Sequence, residues 1–121
     1  MQYVFFGSPR FAEIILKRLI EAGMPPAAII CNPDRPFGRK KVVTPPPTKV
    51  LAQGSAIPVL QPETLDERFV AELRALHPDA AVVAAYAKIL PKKVIAVPRL
   101  GTIGVHPSLL PKYSGATPIQ S

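Results

Sequence analysis

The sequence is poor in residues that assemble metal centres and disulfides: it has one cysteine and two histidines, too few for a metal-ligand cluster. With Cys31 alone no internal disulfide can form, and a reducing cytoplasm is the expected compartment. Cys31 closes an apolar run, where a buried structural thiol is expected rather than a nucleophile. Long hydrophobic runs are also missing. The longest small-apolar stretch, Ala80–Ala87, falls well short of the roughly 20 residues a bilayer span needs, so it reads as a buried strand and no membrane partner is expected. The N-terminus lacks the basic, apolar and small-residue segments of an export signal. Gly7-Ser8-Pro9 has one glycine where the dinucleotide fingerprint G-x-G-x-x-G has three, and G-x-x-x-x-G-K-[ST] is absent. Dinucleotide binding and ATP hydrolysis therefore have no support.

What is present fits one globular domain. Hydrophobic residues make up 48% of the 121 and charged residues 19%, which argues against disorder and allows a sizeable core. The formal charge of +7 is unevenly placed. Arg35, Arg39, Lys40, Lys41 and Lys49 stand against Asp34 alone in residues 32–50, so one stretch dominates the positive field. A polyanionic partner would be drawn there. The plainer alternative is a solvated lysine-rich turn.

The apolar pattern alternates strand and helix. Tyr3–Phe6 reads as a strand ending at Gly7, and Ser8-Pro9 offers an N-cap followed by proline at the first helical position. Phe11, Ile15, Leu16, Leu19 and Ile20 recur at helical spacing up to Gly23. Ala27–Cys31 is a second strand, and residues 32–46, rich in proline and basic charge, are predicted to be an exposed, poorly ordered loop. A short helix over Thr48–Gln53 precedes a third strand, Ile57–Leu60. Thr64 and Glu67 have capping-box spacing for a helix whose face carries Phe69, Val70, Leu73 and Leu76 and which stops at His77-Pro78. Ala80–Ala85 is apolar on both faces, as a central parallel strand must be. A short helix, Pro91–Ala96, and a fifth strand, Thr102–His106, follow.

This alternation predicts an α/β fold: a doubly wound, mainly parallel open sheet of Rossmann-like type, with the five strands in the order 3-2-1-4-5. Ligands in such sheets bind beyond the carboxyl ends of the strands. That edge would hold Gly7–Pro9, the 32–46 loop, Gln61–Thr64, Tyr86–Leu90 and everything after His106, whereas His77 and Asp79 fall on the opposite edge. His106 is therefore the histidine placed for chemistry, although position alone leaves a structural role equally open.

Residues 104–115, Gly104-Val105-His106-Pro107-Ser108-Leu109-Leu110-Pro111-Lys112-Tyr113-Ser114-Gly115, resemble the signature of the folate-dependent formyltransferases, N-x-H-x-S-L-L-P-x-Y-x-G. The resemblance extends along the chain through Val4-Phe5-Phe6-Gly7-Ser8-Pro9, Pro33-Asp34-Arg35-Pro36 with Gly38-Arg39, Ile57–Pro62 and Ile89-Leu90-Pro91. With its long basic loop, the chain is similar to the N-terminal portion of the family branch that formylates methionyl initiator tRNA. The resemblance implies a one-carbon (formyl) transferase of protein biosynthesis, active in translation initiation. It would take 10-formyltetrahydrofolate as donor co-substrate and need no metal. It makes His106 the catalytic histidine and places the folate against Ser108, Leu109, Leu110 and Pro111, with Tyr86, Ile89 and Leu90 as another wall. Arg35, Arg39, Lys40 and Lys41 become the RNA contacts.

Two departures qualify the expected activity. The family's catalytic asparagine falls at position 104, where this chain has glycine, and the family's aspartate lies on a strand later than Ser121. Residues 1–121 are thus expected to form an incomplete (truncated) formyltransferase N-terminal domain with no second domain, impaired when alone. The alternatives are a non-catalytic RNA- or folate-binding remnant, or a formyltransferase acting on a small amine. The sequence leaves the oligomeric state open.

Overall fold

The computed structural model describes residues 1–105 and 116–118. The elements run β1 (Tyr3–Phe6), α1 (Arg10–Glu21), β2 (Ala28–Ile30), β3 (Arg35–Phe37), β4 (Val42–Thr44), α2 (Pro47–Gly54), β5 (Val59–Leu60), α3 (Glu67–Ala75), β6 (Ala80–Ala84), α4 (Lys92–Ile95), β7 (Thr102–Val105) and β8 (Ala116–Pro118). The main sheet has the order β5-β2-β1-β6-β7-β8. Its first five strands are parallel and match the order expected from the sequence, while β8 pairs antiparallel with β7.

Alternation along β1 explains why helices cover both faces. Tyr3 and Phe5 point to one side, where they meet Ala12 and Leu16 of α1 and Ala52 of α2. Val4 and Phe6 point to the other, where they meet Phe69, Val70 and Leu73 of α3 and Val94 of α4. β1 is wholly buried because β2 and β6 flank it, each in parallel register. Helix α1 ends as the sequence indicates: Gly23 takes φ +78, and its N–H donates to the Ile20 carbonyl while that of Met24 donates to Leu19. That pair of bonds is a Schellman closure.

Several local expectations need correction. Residues 32–46 are not an irregular loop: Arg35–Phe37 and Val42–Thr44 form a two-stranded antiparallel ribbon, with Phe37 opposite Val42. Pro36 is compatible with it because each strand of a two-stranded ribbon is paired on one side only. The turn at its tip uses Gly38 and Lys41, both with positive φ, and is closed by the Lys41 N–H donating to the Gly38 carbonyl at 3.2 Å. Ser8 does not cap α1; the N-cap is Pro9 and the Ser8 hydroxyl bonds elsewhere. The N-cap of α3 is Asp66, whose Oδ1 accepts from the Phe69 N–H at 3.1 Å, and Thr64 donates to Asp66 Oδ2 instead of forming a capping box. Strand β8 was not anticipated, since Ala116-Thr117-Pro118 has neither apolar alternation nor a turn signal, and its proline suits an edge strand.

Candidate functional site at the carboxyl edge of the sheet

The carboxyl ends of β1, β2, β5 and β6 converge on one set of turns. At the end of β1 the Gly7 N–H donates to the Ile30 carbonyl at 2.9 Å, continuing the β1–β2 ladder past the strand. The Gly7 carbonyl accepts from the buried Thr48 hydroxyl at 2.7 Å, which ties α2 to this turn. The buried Ser8 hydroxyl accepts from the Asn32 N–H at 2.8 Å. These bonds orient the backbone around a cleft of about 680 Å³, walled by Ser8 and Pro9, by Arg35 and Pro36 of the ribbon, and by the Ala85–Ala87 turn after β6.

Tyr86 is the aromatic wall of the cleft. Its ring stands edge-on to Phe6, with centroids 5.5 Å apart. Its hydroxyl is buried with no hydrogen-bond partner among the described residues, and burial, followed by the nearby Cys31, pushes the phenol up to about 12. Lys88 Nζ lies 5.8 Å from the ring centroid, within cation–π range. The other two folate-wall residues named from the sequence are placed differently: Ile89 is 94% exposed, and Leu90 is half-buried against the Val4–Phe6 side of the core. His106, Ser108, Leu109, Leu110 and Pro111 lie outside the described residues. Gly104 is described; it is buried in β7 between Val83 of β6 and Thr117 of β8.

The basic residues separate into two groups. Arg35 is at the root of the ribbon, where it lines the cleft and its Nη2 is 3.7 Å from Glu63 Oε2. Arg39, Lys40 and Lys41 are exposed at the tip. Beneath the ribbon lies a polar cluster that sequence reasoning missed. Lys49 Nζ of α2 donates to both carboxylate oxygens of Asp34, at 3.1 and 3.2 Å, and Gln61 Nε2 donates to Asp34 Oδ1 at 2.7 Å. The same Gln61 nitrogen donates to the Asn32 carbonyl at 3.0 Å. The Gln61 and Lys49 bonds hold the Asp34 carboxyl below the usual carboxylate range. No spacing rule could have found partners that lie 15 and 27 positions apart.

Cys31 is fully buried, and burial pushes its thiol up to about 11, the opposite of nucleophile activation. His77 and Asp79 lie at the amino edge, where Asp79 accepts from Arg99 Nε at 2.7 Å and from the Gln2 N–H at 2.8 Å. Among the described residues no group of three His, Cys, Asp or Glu side chains could hold a metal ion. No helix among them is long and apolar enough to cross a membrane.

An open, doubly wound parallel sheet with its cleft at the carboxyl edge is the architecture of the formyltransferases. The chain belongs to that family: the model of the Formyl transferase family matches residues 1–121. Among sequence relatives, the methionyl-tRNA formyltransferase of Chloroflexus aggregans is 50% identical over 120 residues, 98% of this chain and 39% of that protein. The methionyl-tRNA formyltransferases of Halalkalibacterium halodurans and Thermotoga maritima are 51% and 46% identical, over 98% and 99% of this chain and 38% and 39% of theirs. The chain therefore spans about two fifths of the length of these curated relatives. Among solved structures, phosphoribosylglycinamide formyltransferase from Brucella melitensis superposes with a TM-score of 0.64 at 21% identity, covering 94% of this chain and 60% of that one. The enzyme of that name from Anaplasma phagocytophilum gives 0.62 at 24%, covering 95% and 53%. These structural likenesses establish the fold.

Proposed function

We propose that residues 1–121 are a formyltransferase N-terminal domain, the formyl-donor-binding part of a cytoplasmic enzyme. It moves the formyl group of 10-formyltetrahydrofolate to the amino group of methionyl initiator tRNA. The observation that carries this reading is identity near one half, along almost the whole chain, to relatives named methionyl-tRNA formyltransferase. The basic ribbon supports the same choice over a small amine acceptor, because a small substrate gives no use for four cations on one projecting hairpin.

In the transfer, the acceptor nitrogen bonds to the formyl carbon and the carbonyl electron pair moves onto oxygen. The tetrahedral intermediate then collapses, breaking the bond to folate N10, which leaves with a proton. His106 takes the proton that the attacking amine must lose. Ser108, Leu109, Leu110 and Pro111 hold the folate, with Tyr86 of the cleft wall on its other side; the exposed Ile89 and the core-facing Leu90 leave that wall to Tyr86. Arg35, Arg39, Lys40 and Lys41 pair with RNA phosphates. Gly104 supplies no side-chain donor to the oxyanion, which favours a second reading in which the chain binds donor and tRNA with little turnover.

Equilibrium binding of methionyl initiator tRNA and of 10-formyltetrahydrofolate tests the proposal. RNA affinity is expected to fall steeply with salt, and the slope to flatten when Arg39, Lys40 and Lys41 are all changed to alanine. Failure to bind either ligand at low salt would overturn it.

A further inference from the structure

A ribbon whose root is held in advance incurs less ordering cost when it contacts RNA, and the polar cluster beneath it is placed to hold that root. Asp34 is the residue before β3, and Lys49 lies just beyond β4, in α2. Their ion pair therefore bridges the two roots of the hairpin, across a span that contains every cation of the tip. The pair is sheltered, with side-chain exposures of 18% for Lys49 and 32% for Asp34. Gln61 extends the bridge to the strand edge by donating to Asp34 and to the Asn32 carbonyl, and Asn32 is held in turn by Ser8. The root is thus anchored to the turns after β1, β2 and β5, and the first two of these, through Ser8 and Asn32, also line the cleft.

We infer that Asp34 and Lys49 are positioning residues. They clamp the ribbon so that its basic tip and the cleft at its root engage one acceptor at the same time. The inference rests on the RNA-binding reading above. Two contact regions on a rigid support act as a linked pair, so loosening the support lowers affinity without removing a contact.

The sign of one substitution separates this from ordinary charge attraction. Asp34→Asn keeps the size of the side chain and an acceptor for Gln61, but removes the ion pair and makes the domain more positive by one charge. Electrostatic attraction alone predicts equal or tighter binding of tRNA. The clamp predicts weaker binding, by about fivefold, the lower range of coupling between two sites. The charge-swapped pair Asp34→Lys with Lys49→Asp restores the ion pair, though not the Gln61 bond to position 34, at unchanged net charge, and is expected to recover part of the lost affinity.

The experiment measures binding of unmodified initiator tRNA to the 121-residue chain, to Asp34→Asn and to the swapped double variant at one salt concentration, with thermal unfolding as a control. In parallel, trypsin cleavage after Arg39, Lys40 and Lys41 is expected to be faster in Asp34→Asn than in the parent. It should move back toward the parent rate in the swap; Lys49→Gln, which breaks the same ion pair from α2 and leaves Asp34 bonded to Gln61, serves if Asp34→Asn does not fold, with faster cleavage again expected. Parent binding that Asp34→Asn leaves unchanged or tightens, or equal cleavage rates, would overturn the clamp alone. A parent chain that does not bind RNA removes the RNA-binding reading, and the clamp with it.

Discussion

A methyl group placed on Gly7 would stand 2.5 Å from the carbonyl oxygen of Ala84. The same methyl would be 2.6 Å from Ala12 Cβ, so the turn after β1 is pressed between the end of β6 and the first turn of α1. Glycine is required here by close approach and not by a left-handed backbone. Because the obstructing atom is a main-chain oxygen, it cannot swing aside as a side-chain terminus would. Gly7→Ala is therefore expected to destabilise the domain by about 1–3 kcal/mol through overpacking. Urea denaturation checks this, and an unchanged midpoint would show that the turn can yield.

The bond from Thr48 to the Gly7 carbonyl makes a second demand on this turn. Thr48 is fully buried, and its hydroxyl is the link from α2 to the β1 turn. Thr48→Val keeps the shape and removes the donor, leaving a desolvated acceptor. A loss of about 1–3 kcal/mol is expected, the usual cost of leaving a buried polar group unpaired. Thr48→Ser, which keeps the hydroxyl, should lose less; equal losses in the two variants would assign the effect to packing.

Acid is expected to weaken the fold through three carboxylates. Asp34, Asp66 and Asp79 are all held below the ordinary aspartate value of 3.8: Asp34 mainly by Gln61, Asp66 by the Phe69 N–H, and Asp79 by the Gln2 N–H. Below that value the unfolded chain binds more protons than the folded one. Their contribution is therefore complete above pH about 4 and is lost as the pH falls through the lower folded values. At the alkaline end the sign reverses. Burial raises Cys31 to about 11 and Tyr3 and Tyr86 to about 12, so stability falls as the pH climbs from about 9 toward those values. Chemical denaturation midpoints from pH 3 to 10 check both limbs. A midpoint that rises on acidification below pH 4 would contradict the first.

The sheet was legible because its central strands declare themselves. Val4–Phe6 and Ala81–Val83 are apolar on both faces, which only strands with neighbours on both sides and helices above and below can satisfy. Gly23 and the His77-Pro78 stop were equally plain, since each ends a helix by a local mechanism. The ribbon was not, because Pro36 and the run of charge from Arg39 to Lys41 read as loop, and pairing Phe37 with Val42 depends on a turn with two positive φ values. The Asp34–Lys49–Gln61 cluster was invisible for another reason. It is assembled by the packing of helix α2 against the turns after β2 and β5, and Lys49 registered in the sequence only as one more positive charge. At the N-terminus of α3, Thr64 has the right spacing to Glu67, but Asp66 sits one residue before the helix and presents a charged acceptor to the Phe69 N–H.

Position 104 gives the sharpest test of chemistry. The family signature puts asparagine there, and formyl transfer needs a donor aimed at the oxyanion of the tetrahedral intermediate. Gly104 lies buried in β7 in register with Val83 and Thr117, and it can offer only its backbone. Loss of one oxyanion donor typically lowers the rate by about 10²–10³, without weakening binding of the ground state. Under the proposed function, formylation by the 121-residue chain alone is expected to be negligible; where the downstream sequence is supplied, the glycine is expected to lower kcat and kcat/KM together with KM unchanged. The comparison is cleanest in a chimaera joining residues 1–121 to the remaining sequence of the Chloroflexus aggregans relative, which this chain matches over 39% of its length. In that background Gly104→Asn is expected to raise formyl-methionine production by about 10²–10³ while tRNA affinity stays the same. Equal rates for the two chimaeras would mean that another group serves the oxyanion, and the glycine would then carry no catalytic penalty.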